Sequence, residues 1–276
     1  MPGIAPTLEL RGGVQLPMIG LGTWPMDNTE SAVAVENALA LGYRHIDTAE
    51  NYENEAGVGE GIRRSGLERE DIFITSKFNK KWHGVEEVKH AFDAAASRLG
   101  VDYIDLFLVH WPNPHQNRYM EAAQGLKELL DAGKIRAFGT SNFKPAHLRR
   151  LLEAGLTPAV NQIQLDPEHV WSVEQEFHKQ HGIVTASYSP LGRGGSFLSS
   201  PSVMDAAKKH QKTPSQVVLR WHIQQGLVPV PKSANQTRQQ ENLNIFDFEL
   251  SEIEMDSITA LDTGAPARLD SDEFGH

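Results

Sequence analysis

Gly42-Tyr43-Arg44-His45-Ile46-Asp47-Thr48-Ala49-Glu50-Asn51-Tyr52 sets a carboxylate, Asp47, at the end of a short strand and a phenol, Tyr52, five residues later. Two further stretches follow the same plan, Phe73-Ile74-Thr75-Ser76-Lys77 and Asp105-Leu106-Phe107-Leu108-Val109-His110-Trp111-Pro112. Each is an apolar strand that ends on a single polar, ionisable side chain. One aspartate, one tyrosine, one lysine and one histidine, delivered by successive strands, can meet at one end of a barrel.

Outward from these stretches, short apolar runs alternate with longer amphipathic segments. Strands are expected near Ile19–Leu21, His45–Asp47, Ile72–Ser76, Ile104–Val109, Ala137–Thr140, Val160–Gln162, Val184–Ser187 and Val228–Val230, with helices between them such as Val85–Leu99 and Tyr119–Leu130. Buried, β-branched strands alternating with helices imply a parallel sheet. About eight such units close into a (β/α)8 TIM barrel. Ahead of them, Leu8-Glu9-Leu10 and Val14-Gln15-Leu16 alternate around Gly12-Gly13, the pattern of a β-hairpin over residues 7–16. That hairpin is expected to cap the bottom of the barrel. Thr213-Pro214-Ser215-Gln216 and Ser251-Glu252-Ile253-Glu254 read as capping boxes, and the helix after Pro214 is expected to stop before Gly226. Pro229 falls inside the last proposed strand, where a ladder donor is missing, so that strand is expected to be short. No linker composition divides residues 1–276, which read as a single domain. The acidic, aperiodic tail 264–276 reads as a loop over one mouth of the barrel or as a frayed end.

Composition excludes several classes. A formal charge of −10 opposes general binding to nucleic acid or anionic membranes. Zero cysteines exclude disulfides, thiolate metal sites and cysteine nucleophiles. Met1-Pro2-Gly3-Ile4-Ala5-Pro6 lacks a basic segment followed by an apolar run, and no segment approaches the ~20 apolar residues of a transmembrane helix. The expectation is a cytoplasmic, monomeric protein without a signal peptide.

Those three stretches resemble the aldo-keto reductases, NADPH-dependent carbonyl reductases, and the resemblance runs almost end to end. Carbonyl reduction needs a hydride donor and a group that protonates or polarises the oxygen. A phenol, with an ordinary pKa of about 10, is a poor acid at neutral pH unless a nearby cation stabilises its phenolate. Lys77 can supply that cation, Asp47 can hold Lys77, and His110 can donate a hydrogen bond to the carbonyl oxygen as charge develops on it. Tyr52 is then the general acid, and these are the roles that the resemblance implies for the four. Taken singly, each has a plainer reading: an ion-pairing aspartate, a rim aromatic, a solvated lysine, a core histidine. Their joint position at the carboxyl ends of strands, where barrels carry their chemistry, favours catalysis.

The resemblance also implies a cofactor set for NADPH. Thr23 and Asp47 lie at the nicotinamide end. Ser141, Asn142 and Gln162 are matched to the carboxamide, and Tyr188 to the aromatic stacked on the nicotinamide. Ser189, Leu191 and Gly192 follow along the pyrophosphate. Lys232, Ser233, Arg238, Glu241 and Asn242 are matched to the 2′-phosphate and adenine, with Asn235 where relatives often carry arginine. For the substrate, the implied set is Trp24, Tyr52, Asn79, His110 and Trp111. Relatives often have Leu-Trp after the lysine; here Phe78-Asn79 stands there, and the short loops suggest an open site of modest selectivity.

The glycine run Gly57-Val58-Gly59-Glu60-Gly61 falls in a helical region instead of at a strand-to-helix turn, and is not read as a nucleotide fingerprint. Two other functions compete: an NADPH-binding sensor or structural subunit on the same fold, and, more distantly, a metal-dependent barrel hydrolase suggested by His178 and His181. The second lacks any His-x-His or His-Glu-x-x-His motif.

Overall fold

Among the residues that a computed structural model describes, 5–266 and 268–276, ten strands and ten α-helices follow one another. Residues 1–4, part of the stretch read for a signal peptide, and Ala267 of the tail lie outside the described residues. Strands β1 (Thr7–Glu9) and β2 (Gln15–Pro17) pair antiparallel with Leu8 opposite Leu16. Gly12 and Gly13 turn between them with φ of 89° and 79°, a region open to glycine at little cost. Leu10, Val14 and Leu16 pack against Phe73, Leu106 and Val160 from the barrel strands, so the hairpin plugs the bottom of the barrel.

Eight parallel strands make the barrel: β3 (Leu21–Gly22), β4 (His45–Asp47), β5 (Phe73–Phe78), β6 (Ile104–Val109), β7 (Ile135–Ser141), β8 (Val160–Gln164), β9 (Val184–Tyr188) and β10 (Val228–Val230). They lie in sequence order, each paired to the next. The barrel closes where Gly20 N–H donates to the Pro229 carbonyl and Gly22 N–H to that of Pro231, both at 3.1 Å. All eight expected strands are present. The first sits slightly later than 19–21, and the last keeps Pro229 in its centre. Along a strand, the N–H and C=O of one residue share a side, and Pro229 turns its carbonyl toward β3. The donor it lacks therefore belongs to the seam, where a proline is tolerated as on an edge strand.

Helices α1 (Asn28–Leu41), α2 (Glu55–Ser65), α3 (Val85–Leu99), α4 (Tyr119–Asp131), α5 (Pro145–Glu153), α6 (Ser172–Gln180), α7 (Pro201–His210), α8 (Pro214–Gln224), α9 (Gln236–Leu243) and α10 (Glu252–Thr259) follow the barrel strands. Both expected capping boxes form, and Gly226 follows α8 with φ 74°. The glycine run of α2 serves packing. A methyl group at Gly57, Gly59 or Gly61 would overlap the backbone carbonyls of Asn28, Leu99 and Ala32. No described helix is long and apolar enough to cross a membrane.

Candidate active site

The strand ends bring the four ionisable groups together. Asp47 is the last residue of β4, and Lys77 lies one residue before the end of β5. His110 follows β6, and a short 3-10 turn at Glu50–Tyr52 swings the phenol back over them. The Lys77 side chain is fully buried, and its ammonium donates to Asp47 Oδ1 at 2.7 Å, the Thr48 carbonyl at 2.9 Å and Tyr52 Oη at 3.3 Å. All three donors are therefore engaged. Asp47 Oδ2 accepts from Gln162 Nε2 at 2.7 Å, so both carboxylate oxygens are engaged as well. The Tyr52 ring meets His110 edge-on, with centroids 5.9 Å apart.

These contacts set the charges. Burial works against the Lys77 ammonium, but Asp47 and then Tyr52 more than offset it, so its pKa lies above the usual lysine value. Burial raises Tyr52, while the Lys77 charge pulls it back toward the acidic side. His110 lies well below the ordinary histidine value, through burial first and then the charge of Lys77, with a smaller push from His276. It is a neutral imidazole at physiological pH. Its Nδ1 is buried without a partner. Only Nε2 is left to meet a ligand, and a neutral ring with its proton there can donate to one.

Above this cluster runs a groove of about 560 Å³. Tyr52, His110, Trp111, Trp24 and Asp47 line it, and so does Lys232, which pairs with Gly22 at the seam of the barrel. Thr23, Ser141, Asn142, Gln162, Tyr188, Ser189 and Leu191, most of them at or just past the ends of β7, β8 and β9, line it too. A chain of hydrogen bonds ties these ends together. Tyr188 Oη donates to Asn142 Oδ1 at 2.9 Å, Asn142 Nδ2 to Ser141 Oγ at 3.1 Å, and Ser141 Oγ to the Gln162 carbonyl at 2.9 Å. Asn142 Nδ2 also donates to the His110 carbonyl at 3.0 Å, which fixes the loop after β6.

Five implied residues stand elsewhere. Gly192, Ser233, Arg238, Glu241 and Asn242 do not line the groove. Ser233 Oγ serves the turn into α9, donating to the Asn235 carbonyl at 3.1 Å. Asn235 caps α9, accepting from Arg238 N–H at 3.0 Å, which leaves the Arg238 side chain exposed at the helix start. Lys232 has only a long 3.9 Å approach to Glu30.

Asn79 also stands back from the groove. Its N–H donates to Glu50 Oε2 at 3.1 Å, and Trp82 is turned to the same carboxylate at 3.0 Å. The tail fills that wall instead. Lys80 N–H donates to the His276 carbonyl at 2.7 Å, Phe274 packs edge-on against Trp111 at 4.9 Å, and the His276 ring lies 5.5 Å from that of His110. Lys144 holds the tail down by bridging Asp270 and Asp272 at 2.6 and 2.5 Å. The site is therefore partly closed, where short loops suggested an open one. Arg193, Arg268 and His276 line the groove and have no counterpart in the sequence reading.

His178 is no metal ligand in this arrangement: Asn161 Nδ2 donates to its Nε2 at 3.0 Å, and Nδ1 meets Thr185 Oγ1 at 2.9 Å. Among the described residues no cluster of three potential metal ligands occurs.

Comparison with known proteins agrees with the geometry. The model of the Aldo/keto reductase family matches residues 18–263. An aldo-keto reductase of Mycolicibacterium smegmatis is 46% identical over 264 residues, covering 95% of each chain. The 2,5-diketo-D-gluconic acid reductase B of a Corynebacterium species is 41% identical over 265 residues, covering 96% of this chain and 95% of that one. Among solved structures, the Bombyx mori aldo-keto reductase in complex with NADP superposes with a TM-score of 0.91 at 32% identity, covering 98% of this chain and 97% of that one. A barrel with its ionisable residues at the strand ends, matched by family, sequence and structure over nearly its whole length, belongs to the aldo/keto reductase family of oxidoreductases.

Proposed function

We propose that this chain reduces aldehydes or ketones to alcohols with NADPH, using Tyr52 as the general acid. One observation carries the reading: a buried ammonium held between a carboxylate and a phenol. NADPH, when bound, supplies the hydride. Every other part of the chemistry falls to the side chains. Tyr52 Oη holds the proton that the carbonyl oxygen takes up. Lys77 stabilises the phenolate left behind, and Asp47 keeps Lys77 charged and in place. His110 Nε2–H offers a second hydrogen bond to the oxygen, aimed at the charge that develops during the reaction.

The groove suits a dinucleotide. Its lining includes both the ionisable cluster and Lys232, whose ammonium meets a carboxylate among the described residues only at 3.9 Å, that of Glu30. Ser141, Asn142 and Gln162 hold the carboxamide end in this reading, and Tyr188 offers its ring face. Lys232 and Arg238 take the 2′-phosphate. The Bombyx mori relative, bound to NADP, supports the choice of cofactor.

The direct test follows NADPH absorbance against a panel of aldehydes, α-diketones, keto-sugars and 2-alkylated β-keto esters. Turnover of at least one class is expected. NADPH binding without turnover on any of them would convert the protein into a sensor. NADPH is expected to bind better than NADH, and Lys232→Ala to erode that preference by about tenfold or more, as loss of a charge-assisted contact does. Arg238→Ala should cost less, because Arg238 lies outside the groove wall. Equal weakening of both cofactors in direct titrations would remove Lys232 from the 2′-phosphate.

The ionisations predict the pH profile. Tyr52 is raised and His110 depressed, so neither changes charge in the neutral range. The reductive kcat/KM should be flat from about pH 6 to about pH 9 and fall only as the phenol ionises in more alkaline solution. An inflection near the ordinary histidine range would make His110 or His276 a titrating participant.

A further inference from the structure

The lip of the groove holds two arginines that no carboxylate engages among the described residues. Arg193 sits in the turn after β9 at φ 58°, and its guanidinium lies over the Trp24 ring, 4.3 Å from the centroid. Arg268 reaches in from the tail and donates to the Gly192 carbonyl at 3.3 Å, next to Arg193 in the chain. Both line the groove. Burial, and then the charge of Arg268, lower the pKa of Arg193. The chain has 36 acidic residues against 26 basic ones, so partners were plentiful. Two guanidiniums kept together without one are a repulsive arrangement that an oxyanion between them relieves, through forked, charge-assisted hydrogen bonds.

We propose that Arg193 and Arg268 form an oxyanion site that takes the carboxylate of the substrate, so that the preferred substrates are carbonyl compounds bearing an acid group. This rests on the reductase reading above. A phosphate oxygen of the cofactor has the same chemistry, but the surroundings favour the substrate. The tail that carries Arg268 also lays Phe274 on Trp111 and His276 beside His110. The positive charge of Arg193 acts on Tyr52 itself. Both cations thus sit beside the groups placed around the carbonyl, Arg193 over Trp24 and Arg268 on the tail that reaches Trp111 and His110.

The test compares a series of ω-oxo carboxylic acids with their methyl esters. For wild-type protein, kcat/KM for the best acid should exceed that of its ester by about tenfold or more. Arg193→Ala/Arg268→Ala should bring the ratio near one, with the NADPH dissociation constant, read by fluorescence titration, changed less than about twofold. Arg193→Lys/Arg268→Lys should retain part of the ratio, since charge remains and only the fork is lost. A ratio near one in wild type, or one that persists in the double alanine variant, overturns the proposal. So does weakened NADPH binding with the ratio intact, which would give the pair to the pyrophosphate. If neither acid nor ester is turned over, the reductase reading fails separately. The carboxylate site then stands or falls on tryptophan-fluorescence titration with the corresponding dicarboxylate, expected to bind wild type and not the double alanine variant.

Discussion

Tyr52→Phe is expected to lower kcat for carbonyl reduction by roughly 10²–10⁴-fold, the usual worth of a positioned general acid. The substitution removes one hydroxyl and keeps the ring that packs edge-on against His110. Lys77 loses only its longest contact, 3.3 Å, and keeps Asp47 and the Thr48 carbonyl. Stability and NADPH affinity should therefore stay near wild type. Single-turnover hydride transfer, measured beside the NADPH dissociation constant, separates the possibilities. Near-normal transfer would sink the acid role, and lost NADPH binding would recast Tyr52 as structural.

Lys77→Met should damage both activity and stability. Lys77 and Asp47 are almost wholly inaccessible. Removing one partner of a buried pair leaves an uncompensated charge and typically costs about 3–5 kcal/mol. Asp47 would retain only Gln162. Tyr52 would lose the one neighbour that most opposes its burial, so its proton would be held still more tightly. Urea denaturation should show the large loss in Lys77→Met and almost none in Tyr52→Phe, although both fall severely in kcat. Lys77→Met/Asp47→Asn should regain much of the stability and none of the activity. If stability and activity returned together, Lys77 would act through the fold alone.

The strand-end chemistry was legible because it is local. Asp47, Lys77 and His110 are fixed to the ends of their strands by a period-two backbone, and a short turn returns Tyr52 to them. The barrel was legible for the same reason, and even Pro229 signalled something real, the position of the closing seam. What the sequence hid was contact across long separations. Nothing local tells that Lys144 will bind Asp270 and Asp272, or that Phe274 and His276 will stand where a tryptophan at 79 was missed. Nor does anything local tell that the Trp82 indole will be tied to Glu50 and so leave that wall to the tail. Asn235 looked like a missing cation; locally it is a helix cap, a role its residue type fits better. The paired arginines at 193 and 268 were invisible for a simpler reason: a side chain's lack of a partner has no sequence signature.

The closing seam has a consequence for how the molecule breathes. Between most neighbouring strands the ladder runs for three to five residues, but β3 and β10 are joined chiefly through Gly20 to Pro229 and Gly22 to Pro231. A short ladder with a proline in it is expected to open before the longer ones, and its glycine amides to exchange with solvent early. The groove crosses this line, with Gly22 on one bank and Val230 and Lys232 on the other. A ligand lying along it bridges both banks and acts as an extra rung. Occupancy would then be felt as slowed amide exchange at Gly20 and Gly22, on the far side of the barrel from β6 and its histidine.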